Sequence, residues 1–428
     1  MRVLLLGSGG RESALAEALA RSPSVDDLVV APGNPGVAAI ARVANTDPTD
    51  PARVVELARK EHVDLVVVGP EAPLVAGVGD ALRDSGIDVF GPNRAAARLE
   101  GSKSFAKEIM AKAGVVVPRW GGFTDAKAAV AFLDDLGPPH VVKVDGLAAG
   151  KGVVVTDDRQ KAVAAVEDSL VRGKFADAGK RVVIEEYLAG DELSLIAFTD
   201  GRVVVACEPA QDYKRVYDAD EGPNTGGMGS YSPVPVCPPS LAARISEEIM
   251  EPVVRALADS GSPFVGALYA GLVLTADGPR VLEFNARFGD PETQALVPRL
   301  RSDFAEVCMG AARRELEGAK LDWSPERCVC VVLASSGYPA SYDTGIPISG
   351  IDEAEAMEEV NVFHAGTAES NGGLVTAGGR VLAVSATAPT FERARLRAYA
   401  AADVIRFEGK HARTDIGLRA EEMETERK

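Results

Sequence analysis

In RVLEFNARFGDPET, Arg280–Thr293, three polar residues alternate with apolar ones: Glu283, Asn285 and Arg287 against Leu282, Phe284 and Ala286. Alternate residues of a strand share a face. One face then carries a carboxylate, an amide oxygen and a guanidinium. Paired oxygen donors suit Mg2+, or Mn2+ in its place, because such ions take few protein ligands and complete their shell with water and phosphate oxygens. Arg287 beside them could clamp a carboxylate or phosphate through two parallel hydrogen bonds. The plain alternative is a half-exposed polar strand face.

A second stretch, KVDGLAAGKGVVV, Lys143–Val155, looks at first like a phosphate loop. The P-loop needs four residues between its first glycine and Gly-Lys, then Ser or Thr. Here three residues separate Gly146 from Gly150, and Gly152 follows Lys151. The flanks, Val141–Val144 and Val153–Thr156, are β-branched runs, so the segment reads as strand, glycine loop, strand. A cation at Lys143 beside flexible N–H donors suits the phosphates of ATP, and such a loop can also act as a lid.

Weaker signals accompany these two. Gly7-Ser8-Gly9-Gly10-Arg11-Glu12 begins like a dinucleotide fingerprint, but Glu12 stands at the third glycine. The second strand ends in Ala-Pro-Gly-Asn34 without the acid that would hold a ribose. What survives is a glycine turn opening a helix, either an anion site or a tight packing turn. Glu71 could meet sugar hydroxyls or an amine, or be a solvated loop acid. Lys103 opens a helix, and alone it reads as a lysine snorkelling to solvent. Glu185 and Glu186 end a strand in VVIEEYLAGDELSL, which suits a hinge against adenine and ribose as well as plain solvated acids. The glycine-rich loop spanning QDYKR and GPNTGGMGSYSP brings Lys214 and Arg215; long loops inside compact domains tend to be functional.

The elements that must position these residues follow from periodicity. Residues 1 to about 98 alternate apolar strands with helices at Ser13–Ala20, Pro51–Glu61 and Val78–Ser85, which predicts a parallel sheet covered on both faces. Its strand ends carry GSGG, APGN, VGPEAP and FGPN, where ligands of such sheets sit. Glu100–Gly114 reads as one helix opening a compact α/β unit, and Leu241–Ser260 as another long helix. From near Glu326, short strands and glycine turns lead to a helix at Phe391–Asp403. The fold class is therefore α/β and α+β, multidomain, with an N-terminal parallel sheet and a mixed β region at the C-terminal end.

Composition removes other classes. The 428 residues carry a formal net charge of −17, so a nucleic-acid groove, which needs a basic footprint, is not expected. An anionic substrate would need locally focused cations. The five cysteines form no framework, and Cys328 and Cys330 sit in CVCVVLA, a buried strand by pattern. The four histidines are scattered, against a zinc centre. No run approaches the ~20 apolar residues of a membrane span, and the apolar start is too short for a signal peptide.

Taken in order, GSGGRESALA, APGNPG, VGPEAPLV, LEGSKSFAK, KVDGLAAGKGV, VIEEYLAGDELS, QDYKR, GPNTGGMGSYSP, EFNARFGDPETQ, SSGYP and FHAGT closely resemble the glycinamide ribonucleotide synthetase family of ATP-grasp ligases across nearly the whole chain. The resemblance implies a substrate domain at 1–100, a large ATP-grasp domain at 101–117 and 189–324, a small lid at 118–188, and a C-terminal domain at 325–422. It implies ATP with Mg2+ or Mn2+, and glycine and 5-phosphoribosylamine as substrates, in a cytoplasmic monomer. By position, Lys103, Lys143, Gly146, Gly150, Lys151, Gly152, Glu185, Glu186, Leu188 and Glu192 would meet ATP, and Glu283 and Asn285 the metal. Gly9, Gly10, Asn34, Glu71, Asp212, Arg215, Gly227 and Gly229 would surround the substrates. Lys214, Arg287 and Asp290 would line the reacting centre. The alternatives are another ATP-grasp carboxylate–amine ligase and a catalytically silent nucleotide-binding regulator. Three departures stand out: Ser13 and Tyr213 occupy positions where the family usually has His, and ALYAGLVL lacks the acid that many relatives carry there.

Overall fold

The computed structural model describes residues 1–148 and 152–426. Gly150 and Lys151, expected at the nucleotide, lie outside the described residues.

Five parallel strands open the chain: β1 (Arg2–Gly7), β2 (Asp27–Pro32), β3 (Arg42–Val43), β4 (Leu65–Val68) and β5 (Asp88–Phe90), in the order β3-β2-β1-β4-β5. Neighbours along β1 face opposite ways, yet Val3, Leu4, Leu5 and Leu6 are all fully buried, so both faces are covered. Helices α1 (Gly10–Arg21), α2 (Pro35–Ala38), α3 (Pro51–Lys60), α4 (Glu71–Ala76) and α5 (Val78–Asp84) connect the strands. The carboxyl ends of β1 and β4 thus deliver the first glycine turn and Glu71 to one edge.

The single helix read over Glu100–Gly114 is two: α6 (Arg94–Gly101) and α7 (Lys103–Lys112). Ser102 is extended between them, and its hydroxyl accepts from Phe105 N–H at 3.2 Å, an N-cap that restarts the helix. This break aims Lys103 from a helix N-terminus.

The next unit is an antiparallel sheet, β6 (Trp120–Phe123), β7 (His140–Val144), β8 (Val153–Thr156) and β9 (Val182–Glu185), in the order β6-β9-β7-β8. It is backed by α8 (Ala126–Leu136) and α9 (Arg159–Leu170). These helices and strands close a small core of their own around Leu133, Val142, Val166 and Ile184. The glycine loop joins β7 to β8 at the free end of this sheet.

A second antiparallel sheet holds β10 (Asp191–Asp200), β11 (Val204–Ala206), β16 (Val265–Thr275) and β17 (Gly278–Asn285), ordered β11-β10-β16-β17. Between its strands run β12 (Gln211–Asp212), the hairpin β13 (Arg215–Tyr217) and β14 (Glu221–Asn224), and β15 (Gly229–Ser232). The long helix read over Leu241–Ser260 is α10 (Pro239–Ile245) and α11 (Glu251–Asp259) around a π turn at Ser246–Met250. Pro252, lacking an N–H, sits at that junction. Then come α12 (Glu292–Leu296) and α13 (Phe304–Arg313).

The last sheet crosses the expected boundary near residue 325. β12 pairs with β15, β15 with β18 (Arg327–Ala334), and the sheet continues through β22 (Arg380–Ala388) to β19 (Val360–His364). Around it lie α14 (Ile351–Glu355), the hairpin β20 (Thr367–Ser370) and β21 (Gly373–Thr376), α15 (Phe391–Val404) and α16 (Leu418–Glu426). Cys328 and Cys330 are fully buried on β18. Among the described residues, no helix is long and apolar enough to cross a membrane.

Candidate active site

The first turn, the β7–β8 loop and β17 meet around one cavity of about 480 Å3. At one end, Glu185 lies between two lysines. Its carboxylate pairs with Lys143 through one oxygen and with Lys107 Nζ, at 2.6 Å, through the other. Lys143 Nζ also donates to the Leu282 carbonyl at 3.2 Å. Burial works to raise the Glu185 pKa, and the two ammonium groups outweigh it, so the carboxyl stays below its ordinary range. Burial draws the Lys107 ammonium downward, while the carboxylate beside it favours the charged form. Glu185 was expected against adenine or ribose, but its side chain is only 3% exposed and committed to these cations. Lys103 faces the same end, its pKa lowered by burial. Asp145 fastens this corner: its carboxylate accepts from Ser104 N–H at 2.7 Å, and its carbonyl from Lys103 N–H at 3.1 Å.

Gly146 and Gly152 are packing positions. A Cβ on Gly146 would sit 2.6 Å from Ala178 Cα, and one on Gly152 would overlap Val144. Glu186, Leu188 and Glu192 follow along the cavity wall.

β17 departs from strict alternation. Opposite β16 the register shifts, with Glu283 against Gly271 but Val281 against Leu272. Leu282 is the extra residue of this bulge, and Leu282 and Glu283 both line the cavity. The bulge thereby interrupts the expected opposition of Leu282 to Glu283, and Phe284, which also borders the cavity, packs in the core. Gly271 leaves room, since a Cβ there would stand 3.3 Å from Glu283 Cγ. Burial raises the Glu283 pKa, but Lys214, Lys143, Lys103 and Arg287 outweigh it and keep the carboxylate ionised. Among the described residues, neither the Glu283 carboxylate nor the Asn285 amide has a hydrogen-bond or ion-pair partner. Two oxygen donors facing a cavity without protein partners fit a hard cation that takes its remaining ligands from elsewhere. No group of three or more His, Cys, Asp or Glu suited to a metal occurs among the described residues.

The other end of the cavity is a chain of ion pairs. Arg287 reaches Glu100 at 3.1 Å and Glu71 at 3.4 Å. Burial raises the Glu100 pKa; for Glu71 the nearby Arg287 and Arg11 outweigh burial and lower it. Asp290 accepts from Gln294 Nε2 at 2.8 Å and pairs with Arg380 at 2.9 Å. Lys214 pairs with Glu192 beside Asp212, whose pKa is pushed up to about 8 by burial, with Glu292 and Glu192 adding to it. Glu292 accepts from Tyr269 and Ser194 at 2.9 and 3.0 Å.

Glu12 explains the broken dinucleotide fingerprint. Its carboxylate accepts from Gly9 N–H at 2.7 Å and Arg11 Nε at 2.6 Å. A Cβ on Gly7 or Gly69 would collide with it, so these glycines make room for the Glu12 side chain.

Six expected residues lie outside the cavity lining. Gly9 and Gly10 border it, each with an ideal Cβ 3.9 Å from Asp290. Asn34 is committed to the fold: it caps α2 and donates to Ser8, Ser13 and His364. Arg215 donates to the Gly222 carbonyl, within its own hairpin. Gly227, at φ +107°, has no room for a Cβ beside Pro291, and Gly229 none beside the Cys330 carbonyl at 2.6 Å. The two departures from the family's histidines also face the fold. Ser13 donates to the His364 carbonyl at 2.6 Å, and Tyr213 stacks under Arg413 with its hydroxyl accepting from Gly417 N–H.

Sequence reasoning missed Arg11, Glu100, Lys107, Tyr269, Glu292 and Arg380 in this lining. Lys107 had one usable signal: it is one helical turn from Lys103, on the same face. Arg380 had none, since it arrives on a strand of the distant C-terminal sheet.

Three family profiles match in succession: the phosphoribosylglycinamide synthetase N domain over residues 1–100, its ATP-grasp (A) domain over 101–293, and its C domain over 328–419. The phosphoribosylamine–glycine ligase of Brucella melitensis is 49% identical over 424 residues, 99% of each chain. That of Vibrio parahaemolyticus is 46% identical over 430 residues, the full length of both. The crystal structure of the Thermotoga maritima phosphoribosylamine–glycine ligase superimposes with a TM-score of 0.85 at 35% identity, covering 97% of this chain and 100% of that one.

Proposed function

The chain belongs to the phosphoribosylglycinamide synthetase family, and from that premise we infer how its cleft works. The reaction is the ATP-dependent ligation of glycine to 5-phosphoribosylamine in purine biosynthesis, giving glycinamide ribonucleotide, ADP and phosphate. The observation that carries this reading is the cavity itself: unpartnered oxygens at Glu283 and Asn285 face Lys103 and Lys143 beneath a glycine loop.

We assign Glu283 and Asn285 to Mg2+ or Mn2+, which when bound neutralises phosphate charge. Lys103 and Lys143 draw the triphosphate toward β17, and Gly146 and Gly152 belong to the loop above it. Glu186, Leu188 and Glu192 flank the nucleoside. Phosphoryl transfer needs positioning and charge neutralisation rather than a protein nucleophile. The glycine carboxylate takes the γ-phosphoryl group and becomes glycyl phosphate, with release of ADP. The amine of phosphoribosylamine attacks the acyl carbon, and phosphate leaves. Arg287, held by Glu100 and Glu71, orients the glycine carboxylate, while Asp290 and Lys214 border the reacting atoms. Asp212 and Glu71 lie nearest the substrates. Gly9 and Gly10 let phosphoribosylamine approach the first turn, with Asn34, Arg215, Gly227 and Gly229 shaping that side from behind. Glycyl phosphate hydrolyses in water, so residues 118–188 serve as a lid that excludes solvent.

The reading extends to a monomer acting in the cytoplasm, where five buried, unpaired cysteines suit a reducing compartment. Phosphate release with and without glycine and phosphoribosylamine tests the function. Release should require both, and other amino acids should not replace glycine. Release indifferent to either substrate would refute it.

A further inference from the structure

Lys107 stands outside every role assigned above. Its side chain is 3% exposed on a helix where Leu or Met would fill the same space. A buried ammonium needs a compensating charge, and Glu185 supplies it. Glu185 is also held by Lys143, so the carboxylate is shared, one oxygen to each lysine. Two ammonium groups and one carboxylate leave the triad with a net charge of +1. Without Lys107, Glu185 and Lys143 would cancel, and a phosphate would meet a neutral pair. In a protein with a formal net charge of −17, that local surplus matters.

The triad is also a mechanical tie. Lys107 is on α7 and Lys143 on β7, and Asp145 already clamps the start of α7 to the end of β7. Glu185 makes a second connection between the same elements, and Lys143 Nζ extends it to the β17 backbone at Leu282.

We propose that Lys107 is a positioning residue for nucleotide binding: by occupying one oxygen of Glu185, it leaves Lys143 with positive charge to offer the triphosphate and fixes its Nζ beside β17. This rests on the reading of the cleft as the ATP site.

A double-mutant cycle on the full-length enzyme tests it, with Mg-ATP as the titrant in calorimetry and steady-state kinetics alongside. Lys107→Met should weaken ATP binding by about tenfold or more, as expected for loss of one nearby charge at an intermediate effective dielectric. Its kcat at saturating ATP should change little. Lys107→Arg should bind nearly as the wild type does. In Lys107→Met/Glu185→Gln, the carboxylate that captures Lys143 is gone, so most of the lost affinity should return. A structural role would lower thermal stability without this rescue. Wild-type affinity in Lys107→Met, or a double variant no tighter than the single one, would overturn the proposal. Should Lys107→Met not fold, Lys107→Gln with and without Glu185→Gln reads the same cycle. A wild-type enzyme that binds no ATP would instead overturn the reading of the cleft, and this proposal with it.

Discussion

Arg380 of β22 pairs with Asp290, in the loop after β17, at 2.9 Å across the seam between the C-terminal sheet and the cavity. The same guanidinium donates to the carbonyls of Gly226 at 2.6 Å and Asp290 at 3.0 Å. Burial would raise the Asp290 pKa, and Arg380 and Arg11 outweigh it to keep the carboxylate charged. The C-terminal sheet thereby reaches the cavity through Arg380, as it does at its other edge through Asp212 of β12. Arg380→Met should lower kcat/KM by roughly a hundredfold, the scale expected when a reacting group is misplaced by about 1 Å. ATP affinity should stay close to that of the wild type. Steady-state kinetics and calorimetry on the same preparation decide it; an unaltered kcat/KM would remove Arg380 from the account.

Glu283 carries the metal assignment. Glu283→Gln keeps the shape and removes the charge. Ligation should fall by roughly a thousandfold or more, since a bound metal supplies several kcal/mol of charge stabilisation. The variant should still fold, with at most a modest fall in melting temperature, because the carboxylate makes no hydrogen bond or close ion pair but does offset Lys214, Lys143, Lys103 and Arg287. Phosphate release and thermal melts are the readouts, and chelation of divalent ions should reproduce the loss in the wild type. Full turnover by the folded variant would refute the assignment.

His364 supplies a pH signature of the fold. It is 5% exposed, and burial lowers its pKa from about 6.5 to about 4. Its folded pKa is depressed, so the unfolded chain binds the proton more readily. The contribution to stability is fully present above pH 6.5 and is lost as pH falls toward 4. A shift of this size corresponds to ~3 kcal/mol. Denaturant melts between pH 7 and 4 should show a steeper loss for the wild type than for His364→Gln. Parallel curves would show that His364 is not the group responsible.

Gly227 tests a packing role against a contact role. At φ +107° it faces Pro291, next to Asp290, with no room for a Cβ. Gly227→Ala should destabilise by about 2–4 kcal/mol, combining overpacking with an unfavourable backbone region. It should also depress kcat through Asp290. A variant with wild-type melting temperature and lowered substrate affinity would mean that Gly227 meets substrate instead.

How far the sequence reached depended on the range of the interaction. The parallel sheet was legible because β1, β2 and β4 hold short apolar runs bounded by glycine turns. That Glu283 and Asn285 line one cavity was legible from their spacing within one strand. The bulge at Leu282 was not, because it arises from pairing with β16 and leaves no local mark. The break at Ser102 was missed although a serine before Lys103 is a usable cap signal. The pairing of Glu185 with two lysines was not legible, because they come from β7 and α7, and only folding brings them together. Arg380 reaches the cavity across 90 residues of chain, beyond any pattern in a window. Asn34, Gly227 and Gly229, expected around the substrates, lie outside the cavity lining and are engaged in packing and hydrogen bonds of the fold, as motif residues often are.

The central claim is that one nucleotide lies between the β7–β8 loop and β17. A crystal structure with Mg2+ and a non-hydrolysable ATP analogue measures this directly. The triphosphate should lie within hydrogen-bond reach of Lys103 and Lys143, with the metal bound by Glu283 and Asn285. A nucleotide bound elsewhere, with Glu283 and Asn285 bare, would contradict it.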